Sequence, residues 1–122
     1  MPRSPLVALG ACNAALAVAA GAFAAHGLRD RLDARALEVF ETAARYQMYH
    51  ALAMILAGAI ATRGARIAGA IFQLAIIVFS GSLYALALTD VRMLGAITPL
   101  GGFGFLVGWL WLARAAWRGA AE

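Results

Sequence analysis

Lysine is absent from this chain, and charge of either sign is scarce. Ten arginines stand against six acidic residues, and charged positions make up only 13% of 122 residues. Ordinary soluble domains are about 25% charged and about 45–50% apolar, whereas here the apolar fraction is 64%. A soluble fold of this size leaves much of its area in water, so the composition excludes one and points to lipid as the second solvent. The net charge of +4 raises nucleic acid as a partner, but the arginines form no basic face. They stand in short groups between apolar runs, as the flanks of membrane spans do, so no nucleic-acid contact is expected. The single cysteine, Cys12, excludes a disulfide within the chain and a cysteine-based zinc site. It reads as a small inert residue in an apolar helix. No phosphate loop, nucleophile elbow or paired-carboxylate arrangement is present. Gly-rich GGFGFLVG (101–108) follows no strand and reads as helix packing.

Four apolar runs dominate what is there: residues 5–25, 46–61, 67–88 and 93–113. A span needs about 20 residues, which the first, third and fourth supply alone. The second reaches that length only if its helix begins earlier, inside a polar stretch. The predicted spans are therefore 5–25, 46–62, 67–89 and 93–113, in one domain covering the whole chain. Short connections at TRGAR (62–66) and TDVR (89–92) force neighbouring helices to run antiparallel. The predicted fold is thus all-α, an integral membrane four-helix up-down bundle. Within the longest connection Asp33 serves as an N-cap, and Leu37, Phe40, Ala44 and Met48 form a stripe at helical spacing. Residues 34–45 read as an amphipathic interfacial helix leading into the second span.

Two rival readings attach to the first run: a cleavable signal peptide, from Arg3 and AFA (22–24), and a lipoprotein box at LGAC (9–12), whose preceding apolar run is too short for export. The fourth run has two as well. Pro99 is either the first residue of the last helix with Thr98 as its cap, leaving 93–97 non-helical, or a kink in a helix that began near Met93. Gly104 with Gly108, and Ala17 with Gly21, are small-residue pairs suited to close helix approach. Trp109, Trp111 and Trp117 suit an interfacial aromatic belt.

Polar groups at membrane depth are costly unless satisfied, so they face the bundle interior or water. One candidate cluster for binding or structure comprises His26, Glu41, Arg45, Tyr46, Gln47, Tyr49 and His50, with Glu41–Arg45 as an i,i+4 ion pair. His26 and His50 are expected near the same membrane face, where with Glu41 they would offer metal or proton-relay chemistry. The blander reading is that His26, Tyr46 and His50 hydrogen-bond helix ends and one another. A second set, Gln73, Ser80, Ser82 and Tyr84, reads as interhelical hydrogen-bond groups, or more sharply as a polar path. Cations are divided five against five between the two sides. Arg3, Arg63, Arg66, Arg114 and Arg118 lack the interleaved acids of the other set, which favours both termini in the cytoplasm.

GAFAAHGL (21–28), FETAARYQMYHALA (40–53), FSGSLYALALT (79–89) and LGAITPLGGFGFLVGWLWLA (94–113) resemble a family of small four-helix membrane proteins catalogued as a domain of unknown function. It comprises YgdD- and YwdK-like bacterial inner-membrane proteins and the related eukaryotic transmembrane protein 256. The resemblance covers about 6–113. It implies a retained first span, four spans and the bacterial cytoplasmic (inner) membrane, and brings no agreed activity. The chain departs from the family pattern at Ala24 and Asp90, where glycine is usual, and at Ala34, where proline often follows the cap. The expected function is that of a structural or accessory protein binding membrane lipid or a membrane partner, including a second copy of itself. An oligomeric transporter or channel for a small solute or proton is the first alternative. A redox or metal subunit using His26 and His50 is the second. No cofactor is predicted, and catalysis is the less favoured role.

Overall fold

Capping residues set three of the four helix starts in the computed structural model, which describes residues 2–119. Ser4 Oγ accepts from the Val7 N–H, with Pro5 in the first turn. Asp33 Oδ1 accepts from the Ala36 N–H at 2.7 Å, and Thr62 Oγ1 from the Ala65 N–H at 3.1 Å. Each side chain satisfies an N–H that the helix itself leaves without a partner. The resulting elements are α1 (Pro5–His26), α2 (Ala34–Ile60), α3 (Arg63–Thr89) and α4 (Met93–Arg118). No strand occurs among the described residues. Helices α1, α3 and α4 are long and apolar enough to cross a membrane. Helix α2 carries Arg35, Glu38, Glu41 and Arg45 in its first half, which dilutes its apolar character.

The connections are tighter than the apolar runs suggest. Arg63–Arg66 belongs to α3, and only Ala61 and Thr62 separate it from α2. Gly64 and Ala65 are buried there, so the TRGAR segment is helix rather than loop. Residues 34–60 form one unbroken helix. Ala61 (φ 65°) and Asp90 (φ 57°) end α2 and α3 in the left-handed conformation, which favours glycine. At Asp90 this backbone geometry is one that glycine adopts without strain. Pro99 lies inside α4, so the reading that leaves 93–97 non-helical is overturned. Thr98 caps nothing: its Oγ1 bonds the Leu94 carbonyl at 3.2 Å and pairs with Ser82 Oγ at 2.6 Å.

Helices α2 and α3 form the central pair; α1 packs mainly on α2, and α4 mainly on α3. Small residues allow the close approaches. A Cβ on Gly10 would lie 2.8 Å from the Ala51 carbonyl oxygen of α2. Gly101, Gly104 and Gly108 of α4 face Phe79, Ala75 and Phe72 of α3. The GxxxG pair therefore serves packing within the chain. The Ala17–Gly21 pair is only half engaged, since Ala17 is buried and Gly21 meets nothing within 4 Å. One apolar cluster joins Met54, Phe72, Ile76, Phe105 and Leu112; a second joins Ala24, Leu28, Phe40 and Ala87. Ala24 is fully buried, so its methyl group fills space in this second cluster. In lipid such close packing, rather than expulsion of water, holds helices together.

Candidate functional site

A row of uncharged polar side chains links three helices, from Tyr84 near the end of α3 to Gln47, Asn13 and Gln73 closer to mid-length. Tyr84 of α3 donates its hydroxyl to Gln47 Oε1 at 2.7 Å. Gln47 Nε2 donates to Asn13 Oδ1 of α1 at 3.1 Å. Asn13 Nδ2 donates to Gln73 Oε1 of α3 at 2.8 Å and to the Leu9 carbonyl one turn earlier at 3.0 Å. Asn13 and Gln47 are buried. The Leu9 contact sets the direction of the whole row. A backbone carbonyl only accepts, so the Asn13 nitrogen must face it, and the remaining amide orientations follow in turn. Every donor then points from Tyr84 towards Gln73. No described protein group accepts from Gln73 Nε2, whose N–H groups are left at the end of the row.

The row lies beneath a cleft of about 780 Å³ between α1 and α3, floored by Phe40 and Gln47 of α2. Its walls are otherwise apolar, with Leu16, Phe23, Ile77 and Leu88 along its length. These four side chains are exposed, so the cleft opens sideways, away from the helix axes. The volume falls within the about 300–1,000 Å³ usual for small-molecule sites. Tyr84 is fixed by its ring as well as its hydroxyl, meeting Phe40 edge-on at 4.9 Å between ring centres.

His50 occupies a separate place on the α4 side. Its Nδ1 faces the Tyr46 carbonyl at 2.8 Å, and its Nε2 receives the Trp109 indole N–H at 3.0 Å. The carbonyl only accepts and the indole only donates, which defines the tautomer with the proton on Nδ1. The ring stacks on Phe105 at 3.5 Å and 9°. Both ring nitrogens are thus engaged by the protein. Trp109 directs its indole N–H to His50 while 42% of its surface stays exposed, and Trp117 is 92% exposed.

The residues of the first candidate cluster are dispersed around α2. Gln47 points to the α1 side, His50 to α4, and Tyr46 packs on Phe79 and Phe105. Tyr49 is exposed and meets the Tyr46 ring edge-on. Glu41 and Arg45 border a shallow groove with Ala17 and Gly21. Among the described residues they are exposed and make no ion pair with each other, contrary to the i,i+4 expectation. His26 is exposed at the end of α1. Phe23 pairs with Phe40, and Asn13 with Gln47, which places His26 level with Leu37. His50 lies thirteen residues further along α2, about 20 Å at 1.5 Å per residue. The two histidines therefore do not meet, and the expectation that they share one membrane face is corrected. The expectation placed residues 34–45 at the interface, whereas this stretch packs along α1 as part of the same helix as His50.

The second set is brought into use throughout, and every member joins two helices. Gln73 and Tyr84 belong to the row. Ser80 Oγ donates to the Ala43 carbonyl of α2 at 2.8 Å, and Ser82 meets Thr98 of α4. Sequence reasoning missed Asn13 as a site residue. Its signal was present: it is the one strongly polar side chain in the first apolar run, and such residues in membrane helices usually face other helices.

An all-α chain with three helices of membrane-crossing length and amide pairs buried at mid-helix is a membrane protein. The family description "Protein of unknown function (DUF423)" matches residues 20–102, and the chain belongs to this family. It is 50% identical over 112 residues to a UPF0382 membrane protein of Staphylococcus epidermidis (strain ATCC 12228), covering 89% of this chain and 92% of that one. Identity to the UPF0382 membrane protein SSP2132 of Staphylococcus saprophyticus is 50% over 115 residues, 92% and 96% of the two chains. To the UPF0382 membrane protein YwdK of Bacillus subtilis it is 44% over 115 residues, 90% and 94%. No solved structure matches the chain.

Proposed function

We propose that this small membrane protein is an accessory protein that holds an apolar membrane molecule in the cleft between α1 and α3. The observation that carries the reading is the pairing of a lipid-facing cleft with a hydrogen-bonded row beneath it. The row holds α1, α2 and α3 in register, so the cleft keeps its shape without a ligand, and preorganised sites bind at less entropic cost. Interhelical hydrogen bonds of this kind average about 0.6 kcal/mol each.

The chain crosses the bacterial cytoplasmic (inner) membrane four times, up-down-up-down. The first turns of α2, with Arg35 and Glu38, stand at the interfacial end of a helix that continues unbroken into the bilayer. Antiparallel neighbours are supported by the contacts of Gly10 with Ala51, Ser80 with Ala43 and Gly101 with Phe79. Both termini face the cytoplasm, where Arg3, Arg63 and Arg66 gather without intervening acids.

The test uses the full chain purified in mild detergent and in nanodiscs. Native mass spectrometry is expected to show one tightly retained membrane molecule per chain, and the same spectrum counts subunits. Gly81 lines the cleft and a Cβ there meets nothing within 4 Å, so Gly81→Phe fills the cleft while α3 keeps its packing. Loss of the retained molecule in Gly81→Phe supports the reading. Equal retention by both proteins overturns it.

A further inference from the structure

We propose that the cleft ligand is a neutral isoprenoid quinone whose ring carbonyl accepts from Gln73 Nε2; this rests on the binding role proposed above. The first argument is the polarity of the site. Because the Leu9 carbonyl orients Asn13, and Asn13 orients Gln73, the group offered to the cleft is a donor. A pure hydrocarbon in the cleft leaves that donor unsatisfied in a medium without water, which is unfavourable. The ligand therefore brings an acceptor.

The second argument is depth. Gln73 lies ten residues into the 27-residue helix α3, within about 5 Å of its midpoint at 1.5 Å per residue. Half of the hydrocarbon core is about 15 Å thick. The ester carbonyls of a headgroup-anchored phospholipid, lying at the core's edge, stand about 10 Å too far out to reach this amide. A charged acceptor at this depth is strongly disfavoured. What remains is an uncharged, carbonyl-bearing molecule that resides within the membrane interior.

The third argument is shape. From Gln73 the cleft runs past Ile77 and Gly81 to Leu88 on α3, opposite Leu16 and Phe23 on α1. That is an apolar channel about 20 Å long, suited to a linear chain that follows one flat polar head. A quinone with an isoprenoid tail has this form: two ring carbonyls, each with two lone pairs, on a hydrocarbon tail without charge. The proposal concerns binding alone and involves no electron transfer.

The test titrates a short-tailed menaquinone, squalene and phosphatidylglycerol into the full chain in phosphatidylcholine nanodiscs and reads occupancy by native mass spectrometry. Wild type is expected to take up one menaquinone and to prefer it to squalene. Gln73→Leu is expected to weaken menaquinone about tenfold, or about 1.4 kcal/mol, and to leave squalene unchanged. Gln73→Met is the second variant, and thermal unfolding without ligand establishes that each is folded. Menaquinone binding that is unaltered by both variants, or squalene bound as tightly as menaquinone by wild type, overturns the quinone assignment. A cleft that retains only phosphatidylglycerol, released by Gly81→Phe, also overturns it while the binding role stands. If Gly81→Phe changes no occupancy at all, both fall.

Discussion

Gly101→Ala adds one methyl group where the two closest helices leave no space for it. The new Cβ would lie 2.4 Å from the backbone nitrogen of Phe79, 2.6 Å from its Cβ and 2.7 Å from its Cα. Carbon atoms in contact sit about 3.5–4.0 Å apart, so a gap of about 1 Å must open. The obstructing atoms are mostly backbone, which cannot swing aside as a side chain can. Helices α3 and α4 must therefore part along a face that also holds Gly104 against Ala75 and Gly108 against Phe72. Overpacking of this kind costs about 1–3 kcal/mol, and an immovable neighbour places it at the upper end. Replacing a helical glycine by alanine returns about 1 kcal/mol, so the expected net loss is about 2 kcal/mol. Gly81→Ala is the matched control, with nothing within 4 Å of its new Cβ. It is expected to gain about 1 kcal/mol from propensity alone. Reversible unfolding in mixed dodecyl maltoside and SDS micelles, followed by helical circular dichroism, measures both. If the two substitutions shift the midpoint in the same direction, the close approach of α3 and α4 is wrong.

Three further outcomes follow from the same contacts. Asn13→Leu removes the centre of the polar row and leaves Gln47 Nε2 without its acceptor; a loss of about 1–3 kcal/mol is expected, and unchanged unfolding would show that the row contributes nothing. His50→Leu strands the Trp109 indole N–H, so a double-mutant cycle with Trp109→Phe is expected to show coupling of about 1 kcal/mol; simple additivity would contradict the hydrogen bond. Ala61→Gly and Asp90→Gly both relieve a left-handed backbone, and each is expected to stabilise. The gain is about 1 kcal/mol at Ala61 and less at Asp90, since aspartate tolerates this conformation better than alanine; the reverse order in unfolding midpoints would refute the strain argument.

Helices were legible where the sequence carries a local cause. Asp33 was identified as a cap from a single turn of sequence and α2 starts where it indicates, while Ser4 and Thr62 cap α1 and α3 by the same local chemistry. Membership of the membrane class followed from composition, because hydropathy is a sum over residues and needs no partner. Helix α3 begins four residues before the apolar run it carries, because Arg63 and Arg66 break the run although arginine is a good helix former. Pro99 was ambiguous because a proline near a helix start fits either side of the boundary; its place was decided by α3, where Ser82 meets Thr98.

The polar residues divide in the same way. That Gln73, Ser80, Ser82 and Tyr84 must find partners was dictated by the sequence, since an unsatisfied polar group in hydrocarbon is costly wherever it points. Which partners they find was not, because 3.6-residue periodicity says which side chains share a face but not which helix covers that face. Glu41, Arg45, Gln47 and His50 looked like one cluster because they are close in the chain. The fold sends them to different sides of α2. Conversely, Asn13 and Gln73 are sixty residues apart and share a hydrogen bond. By itself the sequence determined an all-helical chain made for lipid, with the cap of α2 at Asp33 and its supply of polar groups. Only the tertiary structure decided that Tyr84, Gln47, Asn13 and Gln73 form one hydrogen-bonded row, that the row ends at the Gln73 amide, and that a cleft lies above it. Those are relations between helices, and the side chains that create them are distant in sequence.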